Sequence, residues 1–165
     1  MPQEVFGVTI KIGNKAPAFS VPNQEDRKVN LKDFSGRWVV LYFYPKDNTS
    51  GCSIEAQEFT TLLKKFEANG AVILGISADS VTTHQNFIEK KGLGITLLSD
   101  PTRKTIEKYD VWKKKQMAGR EYMGIVRTTY LIDSRGRVAE TWDKVKSKGH
   151  AAEVLNRLLE LRAGK

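Results

Sequence analysis

The 165-residue sequence contains only one cysteine, Cys52. A lone cysteine cannot form a disulfide within the chain, and it excludes both a CxxC redox pair and a zinc site built from several cysteines. Long apolar runs are also missing, since residues 38–44 fall far short of the roughly 20 residues that a membrane-spanning helix needs. The amino terminus lacks the basic-then-apolar layout of a secretion signal. These absences predict a cytoplasmic protein with no membrane role.

The balance of charge is basic, with 27 lysines and arginines against 19 acids and a net charge of +8. Such a surplus could bind nucleic acid, because lysines that neutralise phosphates release counterions. The lysines are scattered and no recognition motif accompanies them, so a solvated basic surface is the favoured interpretation. The length predicts one domain spanning residues 1–165.

Apolar periodicity changes along the chain in an order typical of an α/β sandwich. Alternating strand and helix patterns come first, and a hairpin and a terminal helix follow, which predicts a mixed sheet with helices on both faces. Residues 38–44 are apolar throughout, as in a central strand buried on both sides. Strands are predicted at residues 38–44, 71–76, 95–98, 121–133 and 137–143. Helices are predicted at residues 54–69, 80–92, near 106–111 and at 151–159, the last burying Ala151, Val154, Leu155, Leu158 and Leu159.

Cys52 lies between the first buried strand and the first long helix, at or near a helix start. Unpaired backbone N–H groups and the positive end of the helix dipole stabilise an anion there, and the thiolate is the nucleophilic form of cysteine. The alternative is an inert cysteine that fills an apolar gap. The neighbours Gly51 and Ser53 are small and unlike a core, which weakens that alternative.

Three further positions near this segment have both a chemical and a structural interpretation. Thr49 could turn its hydroxyl toward the thiol, or could simply cap the helix. Pro45 could shape the site, or merely end the strand. Arg127 lies in a strand-like run and either faces solvent at a sheet edge or binds an anion. For Thr49 and Arg127, the local sequence alone favours the structural interpretation.

The two histidines, His84 and His150, have no other ligands at metal spacing. We therefore expect them to lie on helix surfaces or at helix caps, and we predict no metal site. Asp47 and Asp79 each follow a strand, but the sequence does not establish whether they meet.

Four segments in order resemble the peroxiredoxins of the bacterioferritin comigratory, thioredoxin-dependent (Q-type) branch. Residues 42–52 read YFYPKDNTSGC and fit the family signature Pro-x-x-x-Thr-x-x-Cys at Pro45, Thr49 and Cys52. Residues 126–133 are similar to the strand that carries the family's arginine. Residues 144–155 resemble the carboxy-terminal part of the sequences in this branch. Residues 13–19 resemble the first strand of the family.

This resemblance implies a thioredoxin-like fold with an amino-terminal β extension, and the reduction of hydrogen peroxide or organic hydroperoxides. It implies that Cys52 attacks the peroxide and that Arg127 is a cationic donor beside the thiolate. It also implies that the Thr49 hydroxyl and the Cys52 backbone N–H bind the peroxide oxygens, and that Pro45 packs over the thiolate and limits water. Glu55 either orients groups in the site or faces solvent at the helix start. No cofactor is implied.

One departure from the branch changes the expected cycle. Many members carry a second, resolving cysteine five residues after the first, where this chain has Gln57. The resemblance then implies a one-cysteine cycle in which an external thiol reduces the sulfenic acid of Cys52. Thioredoxin, glutaredoxin or a small thiol could serve as this reductant. The chain is expected to be a monomer or a weak homodimer. The rival hypothesis is a redox sensor or holdase on the same fold, without sustained turnover.

Overall fold

The computed structural model describes residues 10–164. Over this range the chain alternates short strands with helices and carries four α-helices and nine strands. The strands are β1 (Ser20–Pro22), β2 (Lys28–Asn30), β3 (Trp38–Phe43), β4 (Ala71–Ser77), β5 (Thr96–Ser99), β6 (Trp112–Met117), β7 (Arg120–Ile125), β8 (Thr128–Ile132) and β9 (Val138–Trp142). The helices are α1 (Ser50–Ala68), α2 (Val81–Lys91), α3 (Lys104–Lys108) and α4 (His150–Ala163).

Five strands form the central sheet in the order β5-β4-β3-β8-β9. β3, β4 and β5 run parallel to one another, whereas β8 pairs antiparallel with both β3 and β9. β3 is therefore the middle strand, and all six of its residues are buried. A strand that is apolar throughout forms there because both of its faces are covered. The predicted mixed α/β sheet is confirmed.

Alternate residues of β3 point into two separate cores. Val40 and Tyr42 pack with helix residues such as Phe59 of α1, Phe87 of α2 and Leu158 of α4.

Leu41 and Phe43, on the opposite face of β3, pack with Ile106 of α3 and with Val21 and Val29 of the β1–β2 extension. Three helices thus cover one face of the sheet, and one short helix and the extension cover the other.

Two helix ends differ from the sequence-based predictions, since α1 begins at Ser50 rather than at residue 54 and α3 ends at Lys108 rather than near residue 111. The predictions also differ from the structure in three other places. The run at residues 121–133 is two strands, because β7 pairs with β6 in a separate two-stranded sheet and β8 lies in the central sheet. Val126 and Arg127 lie between them. Residues 13–19 form no strand and contribute only an isolated bridge from Lys15 to Arg137. In α4, Leu159 is 41% exposed, because its position falls outside the stripe that packs on the sheet.

A fourth difference is the β6–β7 hairpin, whose first strand, Trp112–Met117, was not predicted. Its residues are mostly exposed and lysine-rich, so they lack the alternation that marks a half-buried strand. Among residues 10–164, no helix combines the length and the apolar character needed to cross a membrane.

Candidate active site

Cys52 is the third residue of α1, and its side chain is almost completely buried. Thr49 is the N-cap residue, and the first i→i−4 bond of the helix runs from the Ser53 N–H to the Thr49 carbonyl, 2.9 Å away. The N–H groups of the first turn therefore point past the helix end without intrahelical acceptors. The sulfur lies where those groups and the helix dipole favour a negative charge.

Arg127, which directly precedes β8, contacts the sulfur of Cys52. Phe43 of β3 pairs with Thr128 of β8, so the residue before Thr128 passes the same edge of the sheet as the residues after Phe43. The Arg127 Nη2 group donates a hydrogen bond to the Cys52 Sγ over 3.3 Å. The antiparallel register thus unites two residues that are 75 positions apart in the chain.

Glu55 holds the other arm of the same guanidinium. Arg127 Nη1 donates to Glu55 Oε1 over 2.7 Å, and the Glu55 side chain is fully buried. The alternative in which Glu55 faces solvent is therefore wrong. Burial raises the pKa of Glu55 to about 7, although the adjacent Arg127 cation opposes the rise. Burial lowers the pKa of Arg127, but the negative charges of Glu55 and Cys52 outweigh that effect and raise it overall.

Gly51 allows the guanidinium to approach the helix closely. A Cβ atom at this position would lie 3.2 Å from Arg127 Nη2 and 3.2 Å from Ser147 Oγ. The loop that carries Ser147 also supports the arginine backbone, because the Val145 N–H donates to the Arg127 carbonyl over 3.0 Å. The absence of a side chain at Gly51 therefore makes room for the contact between Arg127 and Cys52.

Thr49 and Pro45 occupy the loop between β3 and α1. The Thr49 hydroxyl donates to the Lys46 carbonyl over 2.9 Å, and it makes no side-chain cap bond to the helix. Pro45 is half-buried. Among the described residues, Arg127 and Glu55 are the side chains that hydrogen bonds join to the Cys52 site, and the hydroxyl of Thr49 is engaged elsewhere.

A buried network of hydrogen bonds contacts the loop between β3 and α1 through Asp47. Asp47 accepts a hydrogen bond from the Tyr44 hydroxyl over 2.6 Å, and its other carboxylate oxygen lies 2.6 Å from His84 Nδ1. His84 Nε2 lies 2.9 Å from the Leu98 carbonyl, which can only accept, so this nitrogen carries a proton. The Asp47 N–H donates to Asp79 Oδ2 over 2.9 Å. The network thus connects the loop before Cys52 to β5 and α2.

The expectation that both histidines lie on a helix surface or at a cap is wrong. His84 is fully buried in this network, and His150 is buried at the first residue of α4, where Nε2 lies 2.8 Å from Thr129 Oγ1. Ligand atoms of Asp47, Asp79 and His84 lie within 4.8 Å of one another. The 2.6 Å separation of Asp47 and His84 is a hydrogen-bonding distance, and the hydrogen bonds of this cluster join the loop before Cys52 to α2 and β5.

Sequence reasoning did not find this network or the position of Ser147. Asp47 lies inside the motif segment and His84 in a predicted helix, but 37 residues separate them and no periodic pattern connects them. Ser147 lies within residues 144–155, and nothing in that segment predicts its contact with the start of α1.

Comparison with known proteins gives a consistent family assignment. A family model described as "AhpC/TSA family" matches residues 12–141. "Peroxiredoxin Bcp" of Bacillus subtilis is 46% identical over 154 residues, which cover 93% of this chain and 98% of that protein. "Putative peroxiredoxin bcp" of Coxiella burnetii is 46% identical over 151 residues, covering 92% of this chain and all of the relative.

Solved structures that resemble this chain support the same family assignment. A cysteine-to-serine mutant of Xylella fastidiosa PrxQ has a TM-score of 0.87 and 40% identity, covering 93% of this chain and 98% of that one. The Xanthomonas campestris bacterioferritin comigratory protein, described for its alkyl peroxide reduction activity, has a TM-score of 0.85 and 38% identity, with 91% and 98% covered.

Proposed function

The chain belongs to the AhpC/TSA family and is a peroxiredoxin of the Bcp type, and from this we propose that Cys52 is the nucleophile of its peroxidase reaction. The enzyme is a thiol-dependent peroxidase that reduces hydrogen peroxide and organic hydroperoxides. The observation that carries the assignment of Cys52 is the 3.3 Å hydrogen bond from Arg127 to its sulfur at the start of α1.

In the first step, the Cys52 thiolate attacks the terminal oxygen of the peroxide. An S–O bond forms as the O–O bond breaks, the sulfur is oxidised to a sulfenic acid, and the leaving alkoxide or hydroxide takes up a proton. Negative charge is spread over both oxygens in this displacement, so donors that are already aimed at them lower the barrier.

The proposed roles of the surrounding residues follow from their positions. Arg127 supplies a fixed cationic donor beside the sulfur, because Glu55 holds its second arm. The Cys52 N–H belongs to the first turn of α1, whose N–H groups have no i→i−4 partner in the helix, so it can donate to a peroxide oxygen. Thr49 supplies a further hydroxyl once it leaves the Lys46 carbonyl, and Pro45 limits the access of water. The roles of Thr49 and Pro45 rest on the family signature.

The sulfenic acid must be reduced by a thiol from outside the chain, since the sequence holds no second cysteine. The external thiol forms a mixed disulfide with Cys52 and releases water, and a second thiol then restores the Cys52 thiol. Gln57, at the position of the resolving cysteine in many relatives, is exposed on α1 and cannot form a disulfide. Thioredoxin, glutaredoxin and small thiols are the candidate reductants.

Family membership favours this enzyme over the sensor or holdase hypothesis, because the relatives are named as peroxiredoxins over nearly their full lengths. A cytoplasmic location and a monomeric or weakly dimeric state stay predictions. Turnover distinguishes the hypotheses, since an enzyme consumes many equivalents of peroxide when a reductant is present.

The substitution Cys52→Ser tests the assignment. We expect it to abolish peroxide consumption in the presence of excess dithiothreitol and to leave the circular dichroism spectrum and the melting temperature nearly unchanged, because a hydroxyl fills almost the same space. Peroxide consumption at the wild-type rate by a folded Cys52→Ser enzyme would refute the proposal.

A further inference from the structure

The β6–β7 hairpin leads directly into the active site. β7 ends at Ile125, two positions before Arg127. Lys115 of β6 extends back along this segment, and its Nζ donates to the Ile125 carbonyl over 2.9 Å. Burial and the nearby positive charge of Arg127 lower the pKa of Lys115, which shows that the hairpin lies within electrostatic reach of the site.

The two faces of this hairpin carry different charges. Residues that pair directly across an antiparallel ladder point to the same side, and neighbours along a strand point to opposite sides. The register therefore places three cations and no carboxylate on one face, which we name the basic face. It consists of Lys113, Lys115, Met117, Arg120, Tyr122 and Gly124.

The opposite face of the hairpin is close to neutral. It carries Lys114 and Glu121, whose charged atoms are 3.7 Å apart. Asp110, which precedes the hairpin, lies 3.9 Å from Lys113.

The basic face also exposes apolar surface. Met117 is 66% exposed and Tyr122 is 41% exposed. A two-stranded hairpin gains little from folding alone, and exposed aromatic, methionine and arginine side chains are typical of interaction surfaces.

Exposed lysines also lie in the loop that contacts the start of α1. Lys144, Lys146 and Lys148 flank Ser147, the residue that packs beside Gly51. A molecule that approaches Cys52 therefore meets positive charge from both the hairpin and this loop.

We propose that the basic face of the β6–β7 hairpin is the docking surface for the protein that reduces Cys52, a thiol protein whose contact surface is acidic. This inference rests on the proposed one-cysteine cycle, in which the reducing thiol comes from another molecule. An acidic partner complements the three cations and is steered toward the site at low ionic strength. A second copy of this chain fits poorly, because a two-fold symmetric contact would set the same lysines against each other.

Reduced thioredoxin, maintained by NADPH and thioredoxin reductase, serves as the acidic thiol protein in the test, and dithiothreitol serves as the uncharged thiol. The double variant Lys113→Glu with Arg120→Glu reverses the charge of the basic face. We expect kcat/KM for thioredoxin to fall about tenfold at low salt and much less at high salt, since salt screens exposed charges. The rates of Cys52 oxidation by hydrogen peroxide and of reduction by dithiothreitol should not change.

The matched control is Lys64→Glu with Arg135→Glu, which makes the same change in net charge at two exposed positions. Lys64 lies about 18 Å along α1 from Cys52, and Arg135 lies in the turn at the far end of the sheet. We expect this control to retain the wild-type rate with thioredoxin. A separate variant, Tyr122→Ser, should slow thioredoxin at every salt concentration.

Four outcomes would overturn the docking proposal while leaving the peroxidase assignment intact. The first two are an equal loss of kcat/KM for thioredoxin in the control and hairpin variants, and a wild-type rate with thioredoxin that does not depend on salt. The other two are a rate with thioredoxin no faster than with dithiothreitol at equal thiol concentration, and a wild-type dimer in sedimentation that the hairpin variant abolishes. Failure of wild-type Cys52 to be oxidised by peroxide would instead refute the proposed function itself.

Discussion

At the scale of single residues, one guanidinium organises the site by using both of its arms. Arg127 donates to Cys52 with one nitrogen and to Glu55 with the other. The planar fork of arginine can make both bonds in a fixed geometry, whereas the ammonium group of lysine is a point charge on a flexible stem. The orientation of the donor therefore depends on the fork and on Glu55, and charge alone does not provide it.

The substitution Arg127→Lys tests this dependence on geometry. We expect the second-order rate constant for Cys52 oxidation by hydrogen peroxide to fall about 100-fold, the loss typical of removing one preorganised donor. Stopped-flow measurement of a single oxidation isolates this step from reduction. A rate within twofold of wild type would show that Arg127 acts only through its charge.

Glu55 gives the protein a stability that depends on pH. Its pKa is about 7 in the fold against an ordinary value of 4.5, because burial disfavours the carboxylate. A carboxyl group whose pKa is raised by folding stabilises the fold fully below its unfolded pKa and loses that contribution as the pH rises through the folded pKa. The sensitive window is therefore about pH 4.5 to 7.

We expect Glu55→Gln to remove this dependence. Between pH 5 and pH 8 the free energy of unfolding of wild type should fall relative to that of the variant by up to about 3 kcal/mol. Urea denaturation of both proteins at the two pH values measures the difference. Glutamine keeps an acceptor for Arg127, so the comparison isolates the titration, and parallel pH profiles would contradict the pKa of Glu55.

At the scale of secondary structure elements, the start of α1 depends on the missing side chain of Gly51. The position where a Cβ would lie is 3.2 Å from both Arg127 Nη2 and Ser147 Oγ, a contact so close that one neighbour must shift. The contact with Arg127 favours glycine at this position, whereas helix stability favours alanine, by up to about 1 kcal/mol.

The substitution Gly51→Ala should therefore separate stability from activity. We expect the melting temperature to stay the same or rise, while the rate of Cys52 oxidation falls about tenfold because the guanidinium is displaced from the sulfur. Alanine at Ser50, one residue earlier, is the matched control. A variant that is oxidised at the wild-type rate would show that Arg127 keeps its contact with the sulfur despite the added methyl group.

The elements that could be predicted from the sequence are those with one dominant pattern. The continuous apolar run predicts the buried strand β3, and the helical pattern at residues 80–92 predicts α2, which spans Val81–Lys91. The β6–β7 hairpin was missed because exposed lysines carry no alternation. The strand run at residues 121–133 was predicted as continuous because nothing local shows that Arg127 turns toward Cys52.

The same distinction applies to the site. Cys52 could be placed from local signals, since a strand, a turn-rich loop and a helix follow in order. Its contacts with Arg127 and Glu55, and the pairing of Asp47 with His84, depend on strand register and on helix packing between residues far apart in sequence. Such contacts leave no periodic trace in a single sequence.

At the scale of the whole molecule, the fold protects one sulfur and offers no second one. Cys52 is 1% exposed, so the sulfurs of two chains could meet only if the first turn of α1 opened in both. The chain must therefore stop at the sulfenic acid until a smaller or better adapted thiol reaches the site.

One equivalent of peroxide should consequently give a product of defined composition. We expect the intact mass of the oxidised protein to increase by one oxygen atom, with no disulfide-linked dimer on a non-reducing gel, since neither an internal nor an intermolecular partner is available to the buried sulfur. Adding one equivalent of a compound with a single thiol group should convert the sulfenic acid to a one-to-one mixed disulfide. A second equivalent should restore the mass of the reduced protein. Rapid formation of a covalent dimer would instead identify Cys52 of a second chain as the resolving thiol, and would mean that the first turn of α1 opens far more readily than its buried contacts with Arg127 indicate.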